Sequence, residues 1–164
     1  MSNDLTPIHI YILLHLKRAK VDYAKMMAKL SHVDLDLINS CIDDLIKAGL
    51  VERDSGSAIK RSKAKFKKAF EVRKHHTYYR LTKVGEQFVR KMDRRWFREY
   101  FETLIGRKAF EIVKMLKDRK DFHSACRELG LDPKYYDEFL LFKLITPKGK
   151  RTKLLELLTA FAEI

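Results

Sequence analysis

The sequence has little of what most enzymes, secreted proteins and membrane proteins depend on. Only two cysteines, Cys41 and Cys126, occur in its 164 residues, without the paired spacing of a zinc site. Both fall within helical patterns that favour buried, reduced thiols, so no disulfide and no metal is expected. Six glycines leave no loop to cradle a phosphate, and the chain has neither a zinc-protease histidine pair nor a nucleophile elbow. No cofactor and no enzymatic activity are therefore expected. The longest apolar run, near Ile10 to Leu14, falls far short of the roughly twenty residues needed to cross a bilayer. No Arg-led signal segment precedes it, which predicts a cytoplasmic protein that does not span a membrane.

Negative charge is scarce as well. Twenty-two Asp and Glu against thirty-five Lys and Arg leave a formal charge of +13, which implies an acidic partner. Nucleic acid is the first candidate and an anionic membrane surface the second. A hydrophobic content of 46% is enough for a core, in one domain or two small ones.

Thr6-Pro7 reads as an N-cap followed by proline at the first helical position, and Ile8, Ile12, Leu13 and Leu16 recur at helical spacing. Asp22 is expected to cap a second helix carrying Ala24, Met27 and Ala28, and Asp34 a third carrying Ile38, Cys41, Ile42 and Leu45, which ends at Gly49. Two short helices joined by a tight turn form a helix-turn-helix. Leu50 to Arg53 and Thr77 to Leu81 alternate as strands of a hairpin, and Thr82 caps a helix with Val84, Phe88 and Met92. The connection between the strands exceeds twenty residues, a length more often found where a loop performs a task.

Helix, helix, helix, strand, long loop, strand, helix is the winged-helix order. The passage Ile38 to Arg53, ending Leu45-Ile46-Lys47-Ala48-Gly49-Leu50-Val51-Glu52-Arg53, and the exit Tyr79-Arg80-Leu81-Thr82-Lys83-Val84-Gly85-Glu86 resemble winged-helix regulators of the MarR and ArsR types. Taken with Lys63-Ala64-Lys65-Phe66-Lys67 and Lys74-His75-His76-Thr77-Tyr78-Tyr79, they are closer to an uncharacterised archaeal winged-helix family. That resemblance implies a fold and brings no assigned activity.

The wing, residues 54–80, holds Lys60, Arg61, Lys63, Lys65, Lys67, Lys68, Arg73, Lys74 and Arg80 against Asp54 and Glu71, or +7 of the total +13. So dense a cluster repels itself, and phosphates would relieve the repulsion. Phe66, Phe70, Tyr78 and Tyr79 interleave with the cations, which suits stacking on bases or wedging into a minor groove. The bland alternative is a solvated loop whose aromatics pack on the domain. Of the adjacent His75 and His76, opposite strand faces predict one packed and one, His76, turned to phosphate. His123 and Cys126 could meet on a helix but make too small a ligand set for zinc.

Helix three, the usual reader of a major groove, carries Asp34, Asp36, Asp43 and Asp44. Carboxylates are repelled by phosphates, so Asn39 and Ser40 as base-edge contacts and Lys47 as a phosphate contact stand on an acidic face. Either the wing supplies the affinity, with shape giving any preference, or helix three docks on a basic protein surface. Asp43 and Asp44 diverge by about 100° on a helix and read as solvated surface, not as a catalytic pair.

From Arg94 the chain stays helical. Trp96, Phe97, Tyr100, Phe101 and Leu104 form an aromatic stripe that suits a core or a dimer contact equally. Asp121 caps a helix ending at Gly130, and Asp132-Pro133 opens the next, in a spacing that reads as a second, degenerate helix-turn-helix. A final amphipathic helix carries Leu154 to Phe161.

The fold expected is mainly α with a small β-hairpin: a winged helix-turn-helix over 1–92 and a helical region over 93–164 that pairs subunits or repeats the motif. The function expected is a transcription regulator binding double-stranded DNA as a homodimer. An assembly module using acidic helix three and the aromatic C-terminal surface is the alternative, and structured RNA a third partner class.

Overall fold

The computed structural model describes residues 4–55, 76–131 and 134–164. It is mainly helical with one small antiparallel sheet. The helices are α1 (Pro7–Ala19), α2 (Ala24–Ser31), α3 (Leu35–Lys47), α4 (Lys83–Arg90), α5 (Arg94–Leu104), α6 (Ala109–Lys117), α7 (Phe122–Leu129), α8 (Lys134–Leu141) and α9 (Lys153–Phe161). The strands are β1 (Asp22–Tyr23), β2 (Val51–Arg53) and β3 (Tyr78–Leu81). Among the described residues no helix is long and apolar enough to cross a membrane.

Two compact units emerge: Ile12–Val89, and Met1–Tyr11 with Arg90–Ile164. The sequence suggests a division at residue 92; the first unit runs to Val89, and the first eleven residues group with the second. Two contacts account for this. Tyr100 donates its hydroxyl to the Leu5 carbonyl at 2.5 Å, and the Tyr11 and Phe161 rings stack at 6.2 Å. Burial pushes the Tyr100 phenol far above its ordinary range, so it remains a donor at any physiological pH.

In the first unit, Leu13, Leu16, Met27, Ile38, Ile42, Leu45, Leu50 and Val51 form the core. The spacing of Ile38, Cys41, Ile42 and Leu45 puts one face of α3 inward, and all four are buried. Gly49, at φ +77°, takes the left-handed conformation that ends the helix. Its neighbours close the turn: Gly49 N–H donates to Ile46 and Leu50 N–H to Leu45.

The sheet contains the expected antiparallel pair β2–β3 and adds a third strand, β1. Its order is β1-β3-β2, with Asp22 opposite Tyr79 and Val51 opposite Leu81. Asp22 is thus a strand residue and not the cap of α2. Its carboxylate accepts from the Tyr23 N–H at 2.8 Å and lies 2.7 Å from Nε2 of buried His15. Tyr23 occupies the capping position without a side-chain bond, and Asp34 likewise makes no capping bond at α3.

Thr82 caps α4 as expected, accepting from Gly85 N–H at 2.9 Å, while its hydroxyl donates to the Gly49 carbonyl at 2.6 Å. This double use draws the start of α4 onto the turn after α3. The approach is so close that a Cβ built on Gly85 would lie 2.0 Å from the Leu50 carbonyl oxygen.

In the second unit Phe97, Phe101, Phe110, Val113, Leu116, Phe122, Phe139, Leu155 and Leu158 are buried. The stripe on α5 therefore serves mainly as core: Phe97, Tyr100 and Phe101 face inward, and half-buried Trp96 stacks on Tyr100 at 5.2 Å. Asp121 caps α7 as expected, accepting from Ser124 N–H, and Gly130 ends it at φ +64°. The expected opening of α8 at Asp132-Pro133 lies outside the described residues.

Gly85→Ala separates propensity from packing. In an open helix the change gains about 1 kcal/mol, whereas here the methyl must displace backbone, so a net loss of about 3 kcal/mol is expected in urea denaturation.

Candidate nucleic-acid interface

Strands β2 and β3 flank the basic segment. They pair from Val51–Leu81 to Arg53–Tyr79, and Asp54 N–H donates to the Tyr78 carbonyl at 2.9 Å, one residue beyond the end of β2. Lys60, Arg61, Lys63, Lys65, Lys67, Lys68, Arg73 and Lys74, the bulk of the expected contact set, lie outside the described residues, as do Glu71 and His75. What the structure fixes is where the basic segment begins and ends.

Arg80, also expected to meet phosphate, is engaged by the protein itself. Its Nε donates to Glu52 at 3.0 Å and its Nη1 to Asp54 at 3.3 Å. The Asp54 side chain is fully buried, whereas Arg80 is 39% exposed. A carboxylate removed from water needs a charged or hydrogen-bonding partner, and Arg80 helps meet that need from the adjacent strand. Its charge is thereby offset where the basic segment meets the sheet.

His76 is packed, not projected. Its ring stacks on Tyr23 with centroids 4.2 Å apart, and Tyr23 meets Tyr78 edge-on at 5.3 Å. Burial first, then the neighbouring Tyr23 and Asp22, pushes the Tyr78 phenol above its ordinary range, so it stays a neutral donor. Sequence reading missed Tyr23, because a two-residue strand is too short to show alternation. The Asp22-Tyr23 pair, placed just after a helix and opposite an aromatic-rich strand, was the available signal.

On α3, Asn39, Ser40 and Lys47 are exposed as expected. Asp36 and Asp43 share their face by helical spacing, and Asp34 and Asp44 are exposed beside it. A shallow concavity of about 570 Å³ at the start of the helix is lined by Asp34, Leu35, Asp36, Leu37 and Ser40. Two carboxylates there oppose an anion, even though a helix N-terminus would otherwise attract one. The three expected polar contacts thus lie within a negative field.

The remaining candidates separate cleanly. His123 is exposed and Cys126 buried, and burial pushes the Cys126 thiol up, away from the thiolate a metal would require. No group of three or more metal-ligating side chains occurs among the described residues.

Arg80→Met should lower stability by about 2 kcal/mol, below the full cost of breaking a buried pair because the guanidinium is partly solvated. Glu52→Gln, at an exposed carboxylate, should cost less than about 0.5 kcal/mol. Equal shifts of the two urea midpoints would show that Asp54 does not depend on Arg80.

No curated protein and no solved structure matches this chain. A family model does match, over residues 4–92. That span is just over half of the sequence and runs from α1 through α4, taking in β2 and β3. The chain belongs to the family described as an uncharacterised protein conserved in archaea, DUF2250.

Proposed function

We propose that this is a winged-helix protein that binds nucleic acid, acting as a cytoplasmic DNA-binding transcription regulator by occupancy and not by catalysis. The observation that carries the reading is the placing of seven of thirteen net positive charges in one segment whose two ends are paired strands. The helix order, with α3 leading directly into β2, is compatible with a winged helix. Phosphates crossing the wing would release condensed counterions, a source of affinity independent of sequence.

The acidic face of α3 argues that this helix does not insert deeply into a major groove. Sequence preference then comes from groove shape or from the wing aromatics. Paired subunits would present two wings to one duplex, in line with two-fold symmetry. The buried state of Phe97, Tyr100 and Phe101 takes most of the α5 stripe out of consideration as the pairing surface.

The same acidic face supports a second reading, in which α3 docks on a basic protein partner in an assembly. Nucleic acid carried through purification and released by high salt favours the first reading. A salt-indifferent preparation free of nucleic acid favours the second.

If about six wing cations engage phosphate, the logarithm of the association constant should fall with log salt at a slope of about −5. Replacing Lys63, Lys65, Lys67 and Lys68 together by Gln should reduce the magnitude of that slope by about three to four. Fluorescence anisotropy on a labelled duplex across a salt series measures both, and an unaltered slope would remove the wing from the interface.

A further inference from the structure

The second unit carries its own excess of positive charge. From Arg90 to Ile164 there are eighteen Lys and Arg against twelve Asp and Glu, and from Phe139 to Leu155 there are five against none. Three of those five stand on or beside a short turn that the fold holds by its backbone. Ile145 pairs with Arg151 as an antiparallel bridge, and Gly149 turns the chain at φ +84°. The Gly149 carbonyl accepts from Phe122 N–H at 2.8 Å, the Pro147 carbonyl from the Tyr136 hydroxyl at 2.6 Å, and the Lys150 carbonyl from Thr146 N–H at 2.7 Å. With these carbonyls engaged within the fold, Lys148 and Lys150 are left exposed. Lys150 stands 4.0 Å from Asp121, whereas Lys148 has no carboxylate within ion-pair reach among the described residues.

Beside this turn, between α7 and α8, lies a cleft of about 610 Å³, within the range of small-molecule sites. Its lining combines aromatic and charged groups. Phe122 is buried, and His123 and Tyr136 are stacked within 20° of parallel at 5.9 Å, each also against Phe122. Arg127 and Asp137 supply a donor fork and an acceptor, and Pro147 forms the edge that leads to Lys148. Arg127 uses one nitrogen on Ser124 at 3.1 Å, which leaves most of its donors for a ligand.

Each part of this lining selects a part of one ligand class. Aromatic rings in the lining, with His123 exposed and Tyr136 partly so, favour a planar heterocycle. An Arg and an Asp in the same cleft match the mixed acceptors and donors of a base edge, and exposed Lys148, next in sequence to the cleft's Pro147, suits a phosphate. We propose that the cleft between α7, α8 and the 145–151 turn binds a nucleotide, with the base against His123 and Tyr136 and its phosphate on Lys148. The base must be unpaired, because a cleft of this kind cannot reach the face of a base stacked within a duplex. The site is independent of the wing and does not require the duplex reading.

The test uses the whole chain and three probes: a fluorescein-labelled single-stranded 12-mer of mixed bases, an abasic strand of the same length, and the mononucleotides AMP and GMP. The strand with bases should bind about tenfold more tightly than the abasic one. His123→Ala should erase most of that difference and leave abasic binding unchanged, with its thermal melt verifying the fold. Tyr136→Phe, which keeps the ring and loses only the bond to Pro147, should retain it. Lys148→Gln should weaken both strands. Shifts of the His123 and Tyr136 ring resonances with AMP or GMP would identify a free nucleotide as the ligand, and shifts with the strand alone would identify a base within a chain. Equal affinity for the two strands, with no resonance shift from either mononucleotide, overturns the site. The wing quadruple variant separates the two ideas, since it should weaken both strands equally and preserve their ratio.

Discussion

The basic segment leaves and rejoins the first unit between Asp54 and Tyr78. Asp54 and Tyr78 share a backbone hydrogen bond there, and the buried Asp54 carboxylate is met by Arg80 on the opposite strand. Everything outward of this point is a segment dense in positive charge, and everything inward is a small hydrophobic fold. A buried carboxylate at such a place has two effects. It ties the strand ends together by a charged contact, and it places a negative charge at the root of a segment whose sequence is rich in cations. The price is one cation: Arg80 counts towards the wing in the sequence but is committed to the scaffold in the fold.

Charge is divided among the parts accordingly. Outside residues 54–80, the unit Ile12–Val89 has eight Lys and Arg against seven Asp and Glu. The scaffold is therefore close to neutral, and α3 is acidic on its open face. A protein built to insert that helix among phosphates would not be expected to array Asp36 and Asp43 beside Asn39 and Ser40. The disagreement between the position of α3 and its charge is the main physical reason to look to the wing for affinity.

Much of the architecture was legible in the sequence because it rests on local rules. The apolar period of α3, the Thr82 and Asp121 caps, and the glycines at 49 and 130 each act within one turn of chain, and each appears where its chemistry predicts. What escaped depends on contacts far apart in sequence. Strand β1 exists because Asp22 and Tyr23 find β3, more than fifty residues later, and without that partner the pair looks like a helix start. Likewise His76 is drawn to Tyr23 and Arg80 to Asp54, so residues that scored as free cations or donors in a linear reading were already engaged. The grouping of Met1–Tyr11 with the second unit follows the same pattern, through Leu5 and Tyr100. The cleft between α7 and α8 was invisible for another reason: His123, Tyr136 and Pro147 belong to three segments, and no spacing rule unites them.

The short turn from Ile145 to Arg151 is held by main-chain hydrogen bonds, by the Thr146 and Tyr136 hydroxyls and by one glycine, with Lys148 exposed at its tip. Such an element behaves like a fixed bracket with exchangeable fittings. Relatives could carry acid, base or aromatic groups at positions 148 and 150 on an unchanged frame, so the preferences of this edge can diverge between close homologues while their stabilities stay alike.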